Sequence, residues 1–128
     1  MIYENNYKKL LQLLPDLGTE KFESRQLKAE GFMDLNIDLL MCEKHRIVLA
    51  LSHYYKHPSG DLIADPDMEV AVYPDRQVAE ALSYQDMFGY CVVYLEEGKV
   101  DLSAKKELNS FLGQWLSNLK AQGHRQED

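Results

Sequence analysis

The sequence lacks most of the patterns that indicate a specific chemistry. Its two cysteines form no C-x-x-C pair, its seven glycines are dispersed, and no G-x-S-x-G motif occurs. No run approaches the ~18 apolar residues of a membrane-spanning helix, and the N-terminus lacks the apolar stretch of a signal peptide. We therefore expect a soluble, cytoplasmic protein without a cofactor.

Positive charge is also scarce. The chain has 14 Lys and Arg against 21 Asp and Glu, a formal net charge of -7. Such a field repels nucleic-acid phosphates and anionic lipid surfaces. The basic pairs Lys8-Lys9 and Lys105-Lys106 fit solvated helix surfaces. We expect no nucleic acid and no membrane as partner, but another protein or a second copy of the chain, as in a homodimer.

What the chain does have is the composition of one globular domain. It contains 128 residues, of which 45% are hydrophobic. A chain of this size buries roughly two-thirds of its unfolded surface, which is enough for a single core. Gly123 is expected to end the last helix, so we predict one domain over residues 1–122 and a frayed tail over residues 123–128.

Hydrophobic periodicity predicts an α+β fold. Apolar residues recur at helical spacing near the N-terminus and again from Leu108 to Leu119. Alternating or apolar segments predict strands at 33–41, 47–55, 68–73, 78–84 and 90–95. Residues 16–31 are mostly polar and are predicted to be a loop with room for a short strand or helical turn. The expected architecture is an antiparallel meander of about five strands, with an N-terminal and a long C-terminal helix packed on one face.

The best-defined hairpin spans residues 65–82. Its tip, Tyr73-Pro74-Asp75-Arg76, has proline where a type I turn favours it. Tyr73, Asp75 and Glu80 are the polar residues of this hairpin and are candidates for a small hydrogen-bonding site. The alternative is structural: Tyr73 packs on the sheet rim, Asp75 bonds its own turn and Glu80 is a solvated strand residue.

Three motifs along the chain resemble the uncharacterised bacterial proteins typified by YqiB. They comprise Asn6, Tyr7, Leu10, Leu13, Leu14, Pro15, then Pro66, Met68, Val70, Tyr73, Asp75, Ala79, Glu80, then Asn109, Phe111, Leu112, Trp115, Leu116. The resemblance implies a single domain of unknown function. The chain departs from the family pattern at Pro74, where members carry histidine, and in the short connection over residues 96–106. If the family has a polar site there, part of it is missing from this chain.

Metal-binding patterns are weak. His53 and His57 have helical ligand spacing, but in a strand they lie about 13 Å apart. The acidic run at Asp61, Asp65 and nearby positions lacks the spacing of a calcium loop. No nucleophile stands in a known catalytic context. We expect neither a metal site nor catalytic residues.

Two functional hypotheses follow. The first is a non-catalytic protein-binding or adaptor module that uses an exposed sheet face or the C-terminal helix, since the second faces of the strands carry surplus apolar residues. These residues are Leu40, Cys42, Val48, Ala50, Val92 and Tyr94. The alternative is a small-molecule binder or modest hydrolase with a pocket between the sheet and the helices. A concave pocket with converging polar groups favours the alternative.

Overall fold

The computed structural model describes residues 1–126, which form two helices and six strands. All six strands belong to one sheet, in chain order, each antiparallel to the next. The predicted α+β meander is therefore confirmed, with six strands rather than about five. The elements are α1 (Ile2–Leu13), β1 (Arg25–Leu27), β2 (Leu35–Cys42), β3 (Ile47–Lys56), β4 (Leu62–Tyr73), β5 (Val78–Asp86), β6 (Gly89–Val92), a 3-10 turn (Glu96–Gly98) and α2 (Leu102–Ala121).

The additional strand is β1, in the segment predicted to be a loop with room for a short strand or helical turn. It pairs with β2 through Gln26 opposite Asn36 and Leu27 opposite Leu35. Leu27 is its one buried residue. Three residues are too few to establish an alternating pattern, so the strand is recognisable only from its pairing.

The hairpin of β3 and β4 is longer than the apolar pattern predicts. β4 begins at Leu62 rather than Met68 and pairs with the end of β3, for example Ala64 opposite Tyr54. A shift of register follows Ser52. The first six residues of β4, 62–67, are exposed or half-buried. They therefore show no alternation of apolar and polar residues from which a strand could be predicted.

One face of the sheet forms the core with the two helices. α1 and α2 contact each other and both contact β5, as expected for helices on one face. Burying such a face supplies most of the driving force for folding. The buried residues of this core include Leu10, Leu14, Leu35, Ile37, Leu49, Leu51, Met68, Val70, Val72, Ala79, Ala81, Leu112, Leu116 and Leu119.

A buried asparagine pair joins the helices to β5. Asn6 Nδ2 donates to the carbonyl of Asn109 at 3.1 Å, and the amide of Ala81 donates to Asn109 Oδ1 at 2.8 Å. A Cβ on Gly113 would lie only 2.8 Å from Asn6 Oδ1. The glycine therefore permits the close approach of α1 to α2.

The residues after α2 return to the sheet. Gly123 has a φ of +89°, and the amide of His124 donates to the carbonyl of Leu119. His124 is buried, and Arg125 forms two backbone hydrogen bonds with Lys28. Gly123 ends the helix as predicted, but the structure differs from a frayed tail at residues 124 and 125, because these backbone bonds tie them beside β1. Residues 127 and 128 of the predicted tail lie outside the described residues.

The open face of the sheet is less apolar than the sequence predicts. Val48 and Ala50 are buried on it, whereas Leu40 and Cys42 are exposed near the end of β2. Carboxylates occupy the centre of the face, among them Glu69, opposite Ala50. Carboxylates therefore lie among the apolar residues of this face.

Candidate functional site

The hairpin of β4 and β5 places Tyr73 and Glu80 side by side. Its connection, residues 74–77, is closed by the amide of Arg76 donating to the carbonyl of Tyr73 at 3.1 Å, and Gln77 has a φ of 56°. Val72 and Ala79 fill the core, so the residues next to them in each strand project away from it. Alternation along the hairpin thus brings the tyrosine and the glutamate together.

Glu80 accepts two tyrosine hydroxyls. Tyr73 donates to Oε1 at 3.1 Å and Tyr94 donates to Oε2 at 2.7 Å. Burial raises the pKa of both tyrosines, and the nearby Glu80 carboxylate raises each pKa further. At neutral pH both hydroxyls are therefore uncharged donors, and both carboxylate oxygens of Glu80 are engaged.

Lys105 reaches the same cluster from the first turns of α2. Asp101 caps this helix, because its Oδ1 accepts the amide of Ala104 at 3.0 Å. The Lys105 Nζ lies 5.8 Å from the ring centroid of Tyr3 and 5.6 Å from that of Tyr94, and it donates to the Tyr94 hydroxyl at 3.4 Å. These distances are within the range of cation–π attraction.

Arg76 lines a pocket together with this cluster. Its Cζ lies 5.7 Å from the ring centroid of Tyr73. The pocket has a volume of about 300 Å³ and lies between the hairpin tip and the first turns of both helices. In the part of the chain that the structure describes, neither Arg76 nor Lys105 forms an ion pair. Among the described residues, the pocket thus combines two cations that form no ion pair with one carboxylate, Glu80, whose two oxygens both accept hydrogen bonds.

Asp75 does not join this pocket. Its Oδ2 lies 2.6 Å from His45 Nδ1, and both side chains are exposed, so the contact is a surface interaction between two turns. Two of the three predicted site residues, Tyr73 and Glu80, are in contact with each other, and the third points elsewhere.

The described helices contain no segment long and apolar enough to cross a membrane. A family model described as Domain of unknown function (DUF6908) matches residues 5–125. The chain belongs to this family. No curated protein and no solved structure matches the chain significantly. The DUF6908 match covers α1 from its fourth residue onward, all six strands and α2, and thus every pocket residue except Tyr3.

The pocket also contains four residues that were not among the predicted site residues: Tyr3, Arg76, Tyr94 and Lys105. Lys105 was interpreted as part of a solvated helix surface, but it is half-buried against two aromatic rings. Its partners are far away in sequence, and no local pattern indicates such a contact. The cluster of Lys105 with Tyr3 and Tyr94 therefore becomes visible only in the three-dimensional structure.

His53 and His57, the histidines with metal-ligand spacing, each have other hydrogen-bond partners. His53 Nδ1 donates to the carbonyl of Asp34 at 2.8 Å, and its Nε2 accepts Trp115 Nε1 at 3.3 Å, whereas His57 contacts Ser59 in a loop. Within residues 1–126 no group of three or more His, Cys, Asp or Glu side chains is arranged to hold a metal ion. His53 is thus engaged in structural hydrogen bonds.

Proposed function

We propose that the protein is a non-catalytic binding module whose pocket at the hairpin tip holds a small molecule with a carboxylate or phosphate group. The observation that carries this proposal is the convergence of Arg76 and Lys105 on one pocket, where neither forms an ion pair with any residue among 1–126. Guanidinium and ammonium groups form strong, charge-assisted hydrogen bonds with such anions. The ring faces of Tyr3 and Tyr94 supply apolar contact for the rest of the ligand.

The hydrogen bonding of Glu80 and the protonation of its two tyrosines support ligand binding rather than catalysis. A hydrolase requires a free base or an activated nucleophile. In this pocket both oxygens of Glu80 accept hydroxyls. The raised pKa values of Tyr73 and Tyr94 keep these hydroxyls protonated. The arrangement therefore suits fixed recognition, and Glu80 orients its two tyrosines.

The pocket also favours a small ligand over an adaptor role through the open sheet face. The adaptor hypothesis rested on surplus apolar residues there, but Val48 and Ala50 are buried and carboxylates such as Glu69 occupy the centre. A protein partner, the closer relation to YqiB-like bacterial proteins and a cytoplasmic location stay predictions from the sequence.

A thermal-shift screen tests the proposed function. A ligand that binds only the native state raises the melting temperature with its concentration. We expect inorganic phosphate or small aromatic carboxylates such as benzoate to raise it in the parent protein and in Lys106→Ala, whose lysine is exposed beside the pocket. Lys105→Ala and Arg76→Ala are expected to lose the shift. An equal shift in all four proteins would contradict the proposal.

A further inference from the structure

A second pocket adjoins the anion pocket at the hairpin tip. It has a volume of about 340 Å³ and lies between the first turn of α1 and the first turns of α2. Tyr3 and Lys105 line both pockets. A ligand whose anionic group is held by Lys105 therefore has the second pocket directly beside it.

The second pocket runs along one side of α2. Its residues from this helix are spaced three or four apart, which places them on one helical face. They are Leu102, Lys105, Lys106, Asn109 and Ser110. At a rise of 1.5 Å per residue the row from the first to the last spans about 12 Å along the helix axis. This elongated shape suits a linear chain.

Two exposed aliphatic side chains converge on the second pocket. Ile2 begins α1 and is 36% exposed, and Leu102 begins α2 and is 74% exposed. Single exposed apolar residues are ordinary, but these two line one pocket beside the cations of another. A ligand group that covers both side chains removes apolar surface from water, which favours binding.

The buried polar residue of the second pocket is already occupied within the protein. Asn109 Nδ2 donates to the carbonyl of Lys105 at 2.7 Å, and its Oδ1 accepts the amide of Ala81 at 2.8 Å. These bonds hold the asparagine in place and use its amide group. The asparagine therefore favours an apolar ligand group in this pocket over one that needs a hydrogen-bond partner.

We infer that the ligand is an anion with a linear aliphatic chain, as in a medium-chain alkyl carboxylate or alkyl phosphate. The inference rests on the proposed function, since Arg76 and Lys105 hold the anionic group. It adds that the chain lies along α2, between Ile2 and Leu102. Lys105 serves both parts, because a lysine presents its ammonium to the anion and its methylene stem to the chain.

Isothermal titration of the full chain with acetate, butanoate, hexanoate and octanoate tests the inference. Full burial of one methylene group corresponds to about a fourfold gain in affinity. Because the groove is open at Leu102, we expect about a twofold gain for each added methylene. n-Octanol, the uncharged comparison, should not bind saturably. Hexyl phosphate is compared with hexanoate, and the tighter of the two identifies the anionic group.

Two leucine variants separate the groove from general hydrophobic attraction. Leu102→Ser removes one wall and should lose most of the gain with chain length, while inorganic phosphate binds as in the parent. Leu62→Ser is the matched control, because Leu62 is 70% exposed on β4 and lines neither pocket. It should keep the full dependence on chain length. Since both leucines are exposed, both variants are expected to fold.

The results also distinguish failure of the groove from failure of the anion pocket. Lys105→Ala should weaken every anion, whereas Leu102→Ser should weaken only the long ones. Equal affinity for acetate and octanoate in a protein that binds phosphate would overturn the inference and leave the proposed function standing. A dependence on chain length that persists in Leu102→Ser, or octanol binding as tightly as octanoate, would also overturn it. Absence of binding for every anion would contradict the proposed function itself.

Discussion

At the scale of single residues, Glu80 organises the polar groups of the pocket at the hairpin tip. It accepts hydroxyls from Tyr73 and Tyr94, two residues brought together from a hairpin and from the segment after β6. Since both tyrosines have raised pKa values, their folded-state protons are held more tightly than in the unfolded chain. This contribution to stability is present below the unfolded tyrosine pKa of about 10 and is lost as the pH rises through the folded values.

Replacing the carboxylate tests this arrangement. In Glu80→Gln we expect the pKa values of Tyr73 and Tyr94 to fall, because burial remains but the negative charge is gone. Alkaline titration followed by tyrosinate absorbance measures the change. Tyr84 is the internal control: burial and the hydrogen bond to Asp86 raise its pKa to about 12, and this value should not change. Unaltered titration of all tyrosines would show that Glu80 does not set their state.

Asp67 on the open face also has a raised pKa, but at neutral pH this shift lowers the stability of the folded protein. Its raised pKa means that the ionised carboxylate costs stability in the folded protein. The favourable contribution is complete below the ordinary value of 3.8 and is lost as the pH rises through the folded value. We expect Asp67→Asn to be more stable than the parent in urea at neutral pH, and the difference to shrink in acid. A variant less stable than the parent at neutral pH would contradict this account.

At the scale of elements, the central hairpin depends on one buried row. Val70 of β4 is fully buried and is opposite Leu49 and Ala81. Val70→Asp places a charge in this core, and we expect a loss of several kcal/mol in unfolding free energy. Val100→Asp, at a position that is 40% exposed, should cost less than about 1 kcal/mol. Urea or thermal melts compare the two, and equal losses would show that Val70 does not face the core.

The close contact between α1 and α2 at Gly113 leads to a second prediction at this scale. In Gly113→Ala the new methyl group would meet Asn6 Oδ1, a side chain held by its bond to Asn109. We expect a net loss of about 1–2 kcal/mol, even though alanine favours helices by about 1 kcal/mol. Ser110→Ala, on the exposed side of α2, is the control and should be neutral or slightly stabilising. A stabilised Gly113→Ala in urea unfolding would show that the helices can separate at no cost.

Predictability from sequence also differs among elements. The strands with strong apolar alternation, such as β2 and the second half of β4, were located correctly because one face is buried. The short β1 was predicted only as one possibility within a loop, and the pairing of Arg125 with Lys28 was not predicted, because both depend on backbone bonds to other segments rather than on a local pattern. Tyr73 and Glu80 share one hairpin, so the sequence could place them near each other, whereas Lys105 joins them only through the packing of α2.

For the whole molecule, the hairpin tip and the open sheet face differ in electrostatic character. At the hairpin tip Arg76 and Lys105 form no ion pair among the described residues, although the net charge of the chain is -7. The open face has the carboxylates of Asp38, Asp67 and Glu69 near its centre. Screening over about 10 Å at 0.1 M salt allows the pocket at the hairpin tip to act through its local charges. The sign of this local charge, more than the net charge, therefore sets the class of ligand that we expect there.

An amide NMR titration of the full chain with inorganic phosphate and with benzoate tests the central claim most directly. The account predicts saturable shifts, for at least one of the two anions, confined to the hairpin tip, Tyr94 and the first turn of α2. It also predicts that Lys105→Ala weakens this binding about tenfold or more, whereas Lys106→Ala does not. The absence of saturable shifts for both anions, or shifts that persist unchanged in Lys105→Ala, would contradict the assignment of an anion-binding pocket.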